Sequence, residues 1–235
     1  MALAAVTLDA AGTVFAPREA VGVTYARVAA AHGIALDAAA TGARFRDALR
    51  AAPPLAFPGI PPDERGSAGR AWWRDVVREA FGAGASHPRF QASFDALWAH
   101  YAGPDAWLLA EDAHDTLRTL RARGLALGIL SNFDGRLGDV LAGLGVTPLV
   151  DAVVPSGTHD FAKPDPRLFR AAAALLGAPP GALLHVGDDV ELDVRGALAA
   201  GCRALLLARE GGAAPPGVRV LRRLRDLPDA LREEG

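Results

Sequence analysis

Asp9, Ser131 with Asn132, Lys163, and Asp188 with Asp189 and Asp193 are the residues of this 235-residue chain whose types and spacing suit work on a phosphoryl group. Taken singly, Asp9 or Ser131 reads as a turn cap, Asn132 as turn chemistry and Asp193 as an acid at a helix start. Brought to one sheet edge, they set several carboxylates and one ammonium in a single crevice, which is costly without a counter-ion. A divalent metal removes that cost. Asp9 and Asp188 offer the hard oxygen ligands that magnesium takes alongside waters and a substrate phosphate oxygen, and no His/Cys cluster competes for zinc. One carboxylate then serves as a nucleophile. Lys163 and the metal neutralise phosphoryl oxygens, while Ser131, Asn132 and nearby amides donate to them.

Lys163 stands out by composition as well. It is the only lysine beside 24 arginines, in the run Ala162-Lys163-Pro164-Asp165-Pro166. A chain that otherwise uses arginine and keeps one lysine points to a place needing a compact, rotatable ammonium rather than a planar fork.

The elements that would position these groups follow from the apolar rhythm. Ala4–Leu8 is a buried strand ending at Asp9. From about Arg18 to Tyr101 the texture is helical: Val21, Tyr25, Val28 and Ala29; Phe45, Leu49 and Ala52; Trp72, Trp73, Val76, Val77 and Phe81; and Phe90, Phe94, Leu97, Trp98 and Tyr101. The proline-dense stretch from Pro53 to Pro62 is a loop between two of these helices. After Gly103-Pro104, helices at about 112–123, 136–144, 166–176 and 192–200 alternate with strands at about 125–130, 152–154, 183–186 and 204–207. Gly211–Pro216 reads as a surface loop before a last, charged helix at about 227–233. Apolar strands without polar alternation, linked by helices, predict an α/β fold: a Rossmann-like, doubly wound parallel sheet covered on both faces. Residues 1–16 and 105–235 would form this core domain, and 17–104 an all-helical domain inserted after the first strand. Each polar signal then falls beyond the carboxyl end of a strand, where such sheets bind ligands.

Composition narrows the partners. A formal net charge of −2 without a basic block excludes the electrostatic footprint of nucleic acid or an anionic membrane, and 51% apolar residues suffice for a sizeable core. The expected partner is a small phosphorylated molecule, and the expected state a monomer or weak homodimer. Cys202 is the single cysteine and reads as small-residue packing. The stretch from Met1 to Asp9 lacks the pattern of a signal peptide, and a cytoplasmic location is expected.

The motifs resemble those of the haloacid dehalogenase superfamily over nearly the whole chain. Asp9-Ala10-Ala11-Gly12-Thr13 looks like its first motif, Ser131 its second, Lys163 in Lys-Pro-Asp-Pro its third, and Gly187-Asp188-Asp189-Val190-Glu191-Leu192-Asp193 its fourth. Trp72–Val77 and Ser131–Asp134 look closest to the subgroup called haloacid dehalogenase-like hydrolase domain-containing protein 3. The resemblance implies a helical cap inserted after the first motif. It also implies that Asp9 is a nucleophile forming an aspartyl intermediate and a magnesium ligand, together with the Ala11 backbone carbonyl and Asp188. Thr13 and Ser131 would hold the phosphoryl group and Lys163 would balance Asp9. Asp193 would orient Lys163 or a metal-bound water, and Asp189 would support the site as a hydrogen-bond partner.

One position departs from the pattern. Typical phosphatases of the superfamily carry an aspartate two residues after the nucleophile, which protonates the leaving group and then activates water; here that residue is Ala11. Losing such a group costs on the order of 10²–10⁴ in rate. Phosphonoacetaldehyde hydrolases of the superfamily carry alanine there but need a cap lysine, which this chain lacks. Three readings remain open. The first is a magnesium-dependent phosphatase that uses a good leaving group or borrows a base such as His159 or an acid of the cap. The second is a 2-haloacid dehalogenase, whose halide leaves unprotonated and whose cap-entrance arginine would be Arg18, otherwise a surface charge where a helix begins. The third is a catalytically silent protein that binds a phosphorylated ligand or another protein. Adjacent Trp72 and Trp73 point about 100° apart on a helix, so one packs while the other lines the crevice for an apolar or aromatic substrate body or seats the cap. The Pro53–Pro62 loop is placed to cover the site.

Overall fold

The structure, a computed structural model, describes residues 2–209, 211 and 215–232. Strand β1 (Ala5–Leu8) is buried along its whole length, as an uninterrupted apolar run requires. Strand β2 (Phe15–Pro17) follows, then helices α1 (Val21–Ala31), α2 (Ala38–Ala51), α3 (Arg65–Phe81) and α4 (Phe90–His100). The chain continues through β3 (Trp107–Leu109), α5 (Ala113–Ala122), β4 (Ala126–Ser131), α6 (Leu137–Gly143), β5 (Ala152–Pro155), α7 (Pro166–Leu175) and β6 (Leu183–Gly187). A π-helical turn (Val190–Arg195) leads into α8 (Gly196–Ala199), and β7 (Arg203–Leu207), β8 (Val220–Leu221) and α9 (Leu227–Ala230) complete the described residues.

Six strands form one sheet in the order β5-β4-β1-β6-β7-β8, and every pairing is parallel. The strands after β1 first add on the β4 side, and then β6 adds on the opposite side. That reversal opens a crevice beyond the ends of β1 and β6. Strand alternation divides the sheet between two cores. Val6, Leu8, Leu127, Ile129, Leu184 and Val186 pack on one face with residues of α5, α6 and α9. Ala5, Leu130, Val154 and Leu183 pack on the other with Leu168, Phe169 and Ala197 of α7 and α8. The fold is the α/β, Rossmann-like parallel sheet expected from the apolar runs.

Helices α1 to α4 close on a third cluster, built around Tyr25, Val77, Phe81, Phe90, Phe94 and Leu97. Among the described residues no strand interrupts 18–104. The chain enters and leaves this helical segment through an antiparallel ribbon in which Phe15 faces Leu109 and Pro17 faces Trp107. Three-residue strands are too short for a period to declare itself, so the sequence gives no sign of this ribbon. The π-helical turn is a second difference, because the periodicity places one helix at about 192–200. Asp189 accepts hydrogen bonds from the Glu191 and Leu192 amides at 2.7 and 2.8 Å, which starts the turn two residues earlier. The two-residue β8 is also new, and α9 ends at Ala230; Glu233, like 212–214 of the expected loop, lies outside the described residues. Among the described residues no helix is long and apolar enough to cross a membrane.

Candidate active site

Asp9 leaves the end of β1 with its amide bonded to the Val186 carbonyl of β6 at 2.9 Å, so its backbone is tied at the point where the sheet reverses direction. The turn that follows folds tightly over Ala10, whose carbonyl accepts from the Val14 and Phe15 amides. Gly12 sits at φ +97°, and a Cβ there would fall 2.4 Å from an Asp188 carboxylate oxygen. Only glycine lets the turn and the Asp188 side chain share that space.

Lys163 reaches the same point from the loop after β5. Its backbone is clasped by the Asn132 carboxamide: Nδ2 donates to the Lys163 carbonyl at 2.9 Å, and Oδ1 accepts from the Lys163 amide at 2.8 Å. Downstream, Asp165 caps α7 by accepting from the Arg167 amide, with Pro166 in the first turn. The buried Lys163 ammonium lies 2.6 Å from Asp9 Oδ1 and 2.5 Å from Asp193 Oδ1. Both oxygens of Asp193 are engaged: Oδ1 also meets His185 Nε2 at 3.1 Å, and Oδ2 accepts from the Asp189 amide at 3.0 Å. Behind it, His185 Nδ1 contacts Thr7 Oγ1 at 3.0 Å in the interior. Gly187 makes room for this arrangement, since a Cβ there would lie 2.2 Å from the Asp193 carboxyl carbon.

These contacts decide the charges. Burial opposes the Lys163 ammonium, but Asp9 and Asp193 outweigh it and hold its pKa above that of an ordinary lysine. Burial works against ionised Asp193 as well, and there Lys163 and His185 prevail and depress its pKa. For Asp9 burial wins: despite Lys163, desolvation and the nearby Asp193 and Asp188 charges raise its pKa. Asp188 is exposed at its tip, yet the protein flanking it and the Asp193 charge raise it too. Oxygens of Asp9, Asp188 and Asp193 all lie within 4.8 Å of one another, three carboxylates around a single ammonium. Asp193 already holds Lys163, His185 and the Asp189 amide, so Asp9 and Asp188 have the more open oxygens, and an all-oxygen set on two raised carboxylates fits a hard divalent ion such as magnesium.

Asp9, Ala11, Ser131, Asn132, Lys163, Asp188, Asp189 and Asp193 all line one cavity of about 740 Å³. Thr13 does not; it is buried, and its hydroxyl donates to Asp188 Oδ1 at 3.2 Å. His159 is also elsewhere, with its ring against the Pro155 carbonyl and the Thr158 hydroxyl. Arg18 binds the Asp105 and Trp107 carbonyls at 3.0 Å and so fastens the two ends of the helical segment; it does not line the cavity, although Pro17 and Trp107 do. Cys202 is buried in the core, which pushes its thiol up to about 11.

The rest of the cavity wall was hidden from the sequence. Opposite the carboxylates, the helical segment contributes a roof of rings, Tyr25, Trp73, Trp98 and Tyr101 among them. Arg136, which the periodicity marks only as a helix start, forks onto both oxygens of buried Asp134 at 2.8 and 2.6 Å. Its guanidinium stands 3.5 Å from the Trp98 ring centroid and donates to the Trp98 carbonyl, which latches α4 to the loop after β4. Trp72 and Trp73 meet edge to face, and both line the cavity. Trp72 donates to the Pro53 carbonyl at 2.9 Å, whereas buried Trp73 Nε1 has no hydrogen-bond partner. The proline-rich loop is docked by its backbone: Ser156 donates to the Leu55 carbonyl and the Phe57 amide to the His159 carbonyl, and Pro53, Pro54 and Leu55 face the cavity.

Known proteins resemble this chain. A family model described as haloacid dehalogenase-like hydrolase matches residues 3–201. Haloacid dehalogenase-like hydrolase domain-containing protein 3 of Bos taurus is 37% identical over 204 residues, covering 86% of this chain and 80% of that protein. Phosphoserine phosphatase of Thermus thermophilus is 40% identical over 117 residues, 48% of this chain and 47% of that one. Among solved structures, L-2-haloacid dehalogenase from Xanthobacter autotrophicus with chloropropionic acid covalently bound superposes with a TM-score of 0.73 at 20% identity, covering 99% of this chain and 100% of that one.

Proposed function

Because the chain belongs to the haloacid dehalogenase-like hydrolase family and is a hydrolase, we propose that it is a magnesium-dependent phosphatase of small phosphorylated metabolites, with Asp9 as nucleophile. The observation that carries this reading is the Asp9–Lys163–Asp193 arrangement beside Asp188: one ammonium held rigidly between two carboxylates, facing a cavity.

Asp9, Asp188 and the Ala11 carbonyl would hold the magnesium, which supplies positive charge against the phosphoryl oxygens and lowers the cost of ionising two raised carboxylates. The Lys163 ammonium adds a second fixed charge, and Ser131 and the second N–H of the Asn132 amide are placed to donate. Thr13 acts through Asp188, by orienting its carboxylate. Asp193 positions Lys163, and Asp189 fixes the turn that carries Asp193. Asp9 attacks phosphorus and the ester oxygen departs; water then attacks the aspartyl phosphate and releases phosphate with Asp9 restored. The Ala11 methyl contributes no proton at either step. Helices α1 to α4, spanning about 17–104, act as the cap domain over a core domain of 1–16 and 105–235. A single cysteine, buried and of raised pKa, is in keeping with the cytoplasm.

The dehalogenase reading is the weaker one, since Arg18, its arginine candidate, is spent on the ends of the helical segment. Turnover of an aryl phosphate with magnesium, abolished by chelator and by Asp9→Asn, is the expected result. Release of halide from a 2-haloacid in the presence of chelator, without phosphatase activity, would replace it.

A further inference from the structure

Resting on the phosphatase reading, we propose that the substrate is a phosphate monoester of an aromatic hydroxyl: a neutral, ring-bearing body whose only anionic group is the phosphoryl group. Three observations converge on this chemistry.

The first is the leaving oxygen. With Ala11 in place of an acid, that oxygen must depart with its electron pair before it gains a proton. A phenol, with a pKa of about 10, bears this far better than a hydroxyl resembling water at about 15.7. The second is the charge of the cavity. Its two interior cations are already paired, Lys163 with Asp9 and Asp193, and Arg136 with both oxygens of Asp134. Arg50 at the rim is largely exposed and bonded to Asp47. A second anionic group, such as the carboxylate of a phosphorylated amino acid, would find Asp188, Asp189 and Glu191 in the wall and no free partner among these cations. The third is the shape of the roof. About 740 Å³ accommodates a drug-sized body, and Trp73, Trp98, Tyr25 and Tyr101 present rings for edge and face contact. Burial keeps the Tyr25 phenol neutral, so the roof carries no charge of its own from that ring.

Atoms balance along this route. An Asp9 oxygen bonds phosphorus as the bond from phosphorus to the aryl oxygen breaks, and the phenolate takes a proton from water after departure. A water molecule then adds to phosphorus, its hydrogens stay on the phosphate, and the Asp9 carboxylate is regenerated.

The test compares four probes on the magnesium-loaded wild type: acetyl phosphate, 1-naphthyl phosphate with a series of ring-substituted phenyl phosphates, glycerol phosphate, and phosphoserine. Acetyl phosphate needs neither roof nor acid and reports on the phosphatase reading alone. The expected kcat/KM for 1-naphthyl phosphate exceeds that for glycerol phosphate and phosphoserine by about 100-fold or more, and within the phenyl series it rises as the phenol becomes more acidic. Trp73→Leu, which removes a ring from the roof, should raise KM for the aryl esters more than for acetyl phosphate. Turnover of acetyl phosphate together with equal or better turnover of glycerol phosphate or phosphoserine overturns the inference and spares the phosphatase reading. If no probe, acetyl phosphate included, reacts above the Asp9→Asn background, both fall.

Discussion

Across the sheet edge, Lys163, Asp9, Asp193, His185 and Thr7 form a chain of polar contacts between 2.5 and 3.1 Å, buried and partnered at each step. On the other side of the same cavity, the roof meets mostly ring to ring, and the buried indole N–H of Trp73 has no hydrogen-bond partner. Short charge-assisted contacts in a low-dielectric interior tolerate little displacement. Ring contacts fall off gradually and accept bodies of varied outline. On the function proposed above, the floor would fix which bond is broken, and the roof which molecule is presented to it.

That division can be broken in four places. The largest effect is expected from Asp9→Asn, a loss of turnover on the order of 10⁴-fold or more. The same variant should not lose stability without metal: a carboxylate whose folded pKa is raised contributes stability only while protonated, and that contribution has been lost once the pH rises through the folded value. Melting with and without magnesium checks this, and the magnesium-induced rise should vanish in the variant. Next comes Ala11→Asp, expected to gain on the order of 10²–10⁴ on alkyl phosphates; no gain would mean the floor lacks more than an acid.

Asp193→Asn should cost about 3–5 kcal/mol at neutral pH, as removal of one member of a buried ion pair does. Asp193 has a depressed pKa, so its contribution is fully present above the unfolded value and is lost as pH falls through the folded one. Denaturant unfolding should therefore show a gap from wild type that is flat above pH 5 or so and narrows below about 4. The smallest effect belongs to the roof latch. Arg136→Lys keeps the charge but loses the fork onto Asp134 and the stack on Trp98, for about 1–2 kcal/mol. Its turnover of acetyl phosphate should stay near wild type; a collapse there would show that floor and roof are not separable.

The same contrast explains what was legible in the sequence. The core strands announce themselves because a parallel sheet buried on both faces leaves no polar alternation, and Asp9, Ser131, Lys163 and Asp188 follow as polar residues at strand ends. The π-helical turn was not legible, because its cause is a side-chain cap at Asp189 rather than a period. Nor was the roof: Tyr25, Trp98 and Arg136 come together through tertiary packing between α1, α4 and the loop after β4, and each alone resembles an ordinary core or surface residue. His185 carried a signal that could have been used. A histidine in the midst of Leu183-Leu184-His185-Val186, in a strand buried throughout, must find a polar partner, and the run Asp188, Asp189, Glu191 and Asp193 that follows offers acids to supply it; Asp193 is the one that does.

The Asn132 clasp on Lys163 has one more consequence. By giving and receiving a hydrogen bond across one peptide, the carboxamide imitates a rung of the sheet and indexes the lysine to the end of β4. The thread between them, through α6 and β5, is registered to the same strand where Ser131 faces Pro155, and the clasp extends that register beyond the last pair to Lys163. The cation is thereby held beside Asp9 through its backbone as well as through its charge, so its place survives a change in the ionisation of either carboxylate.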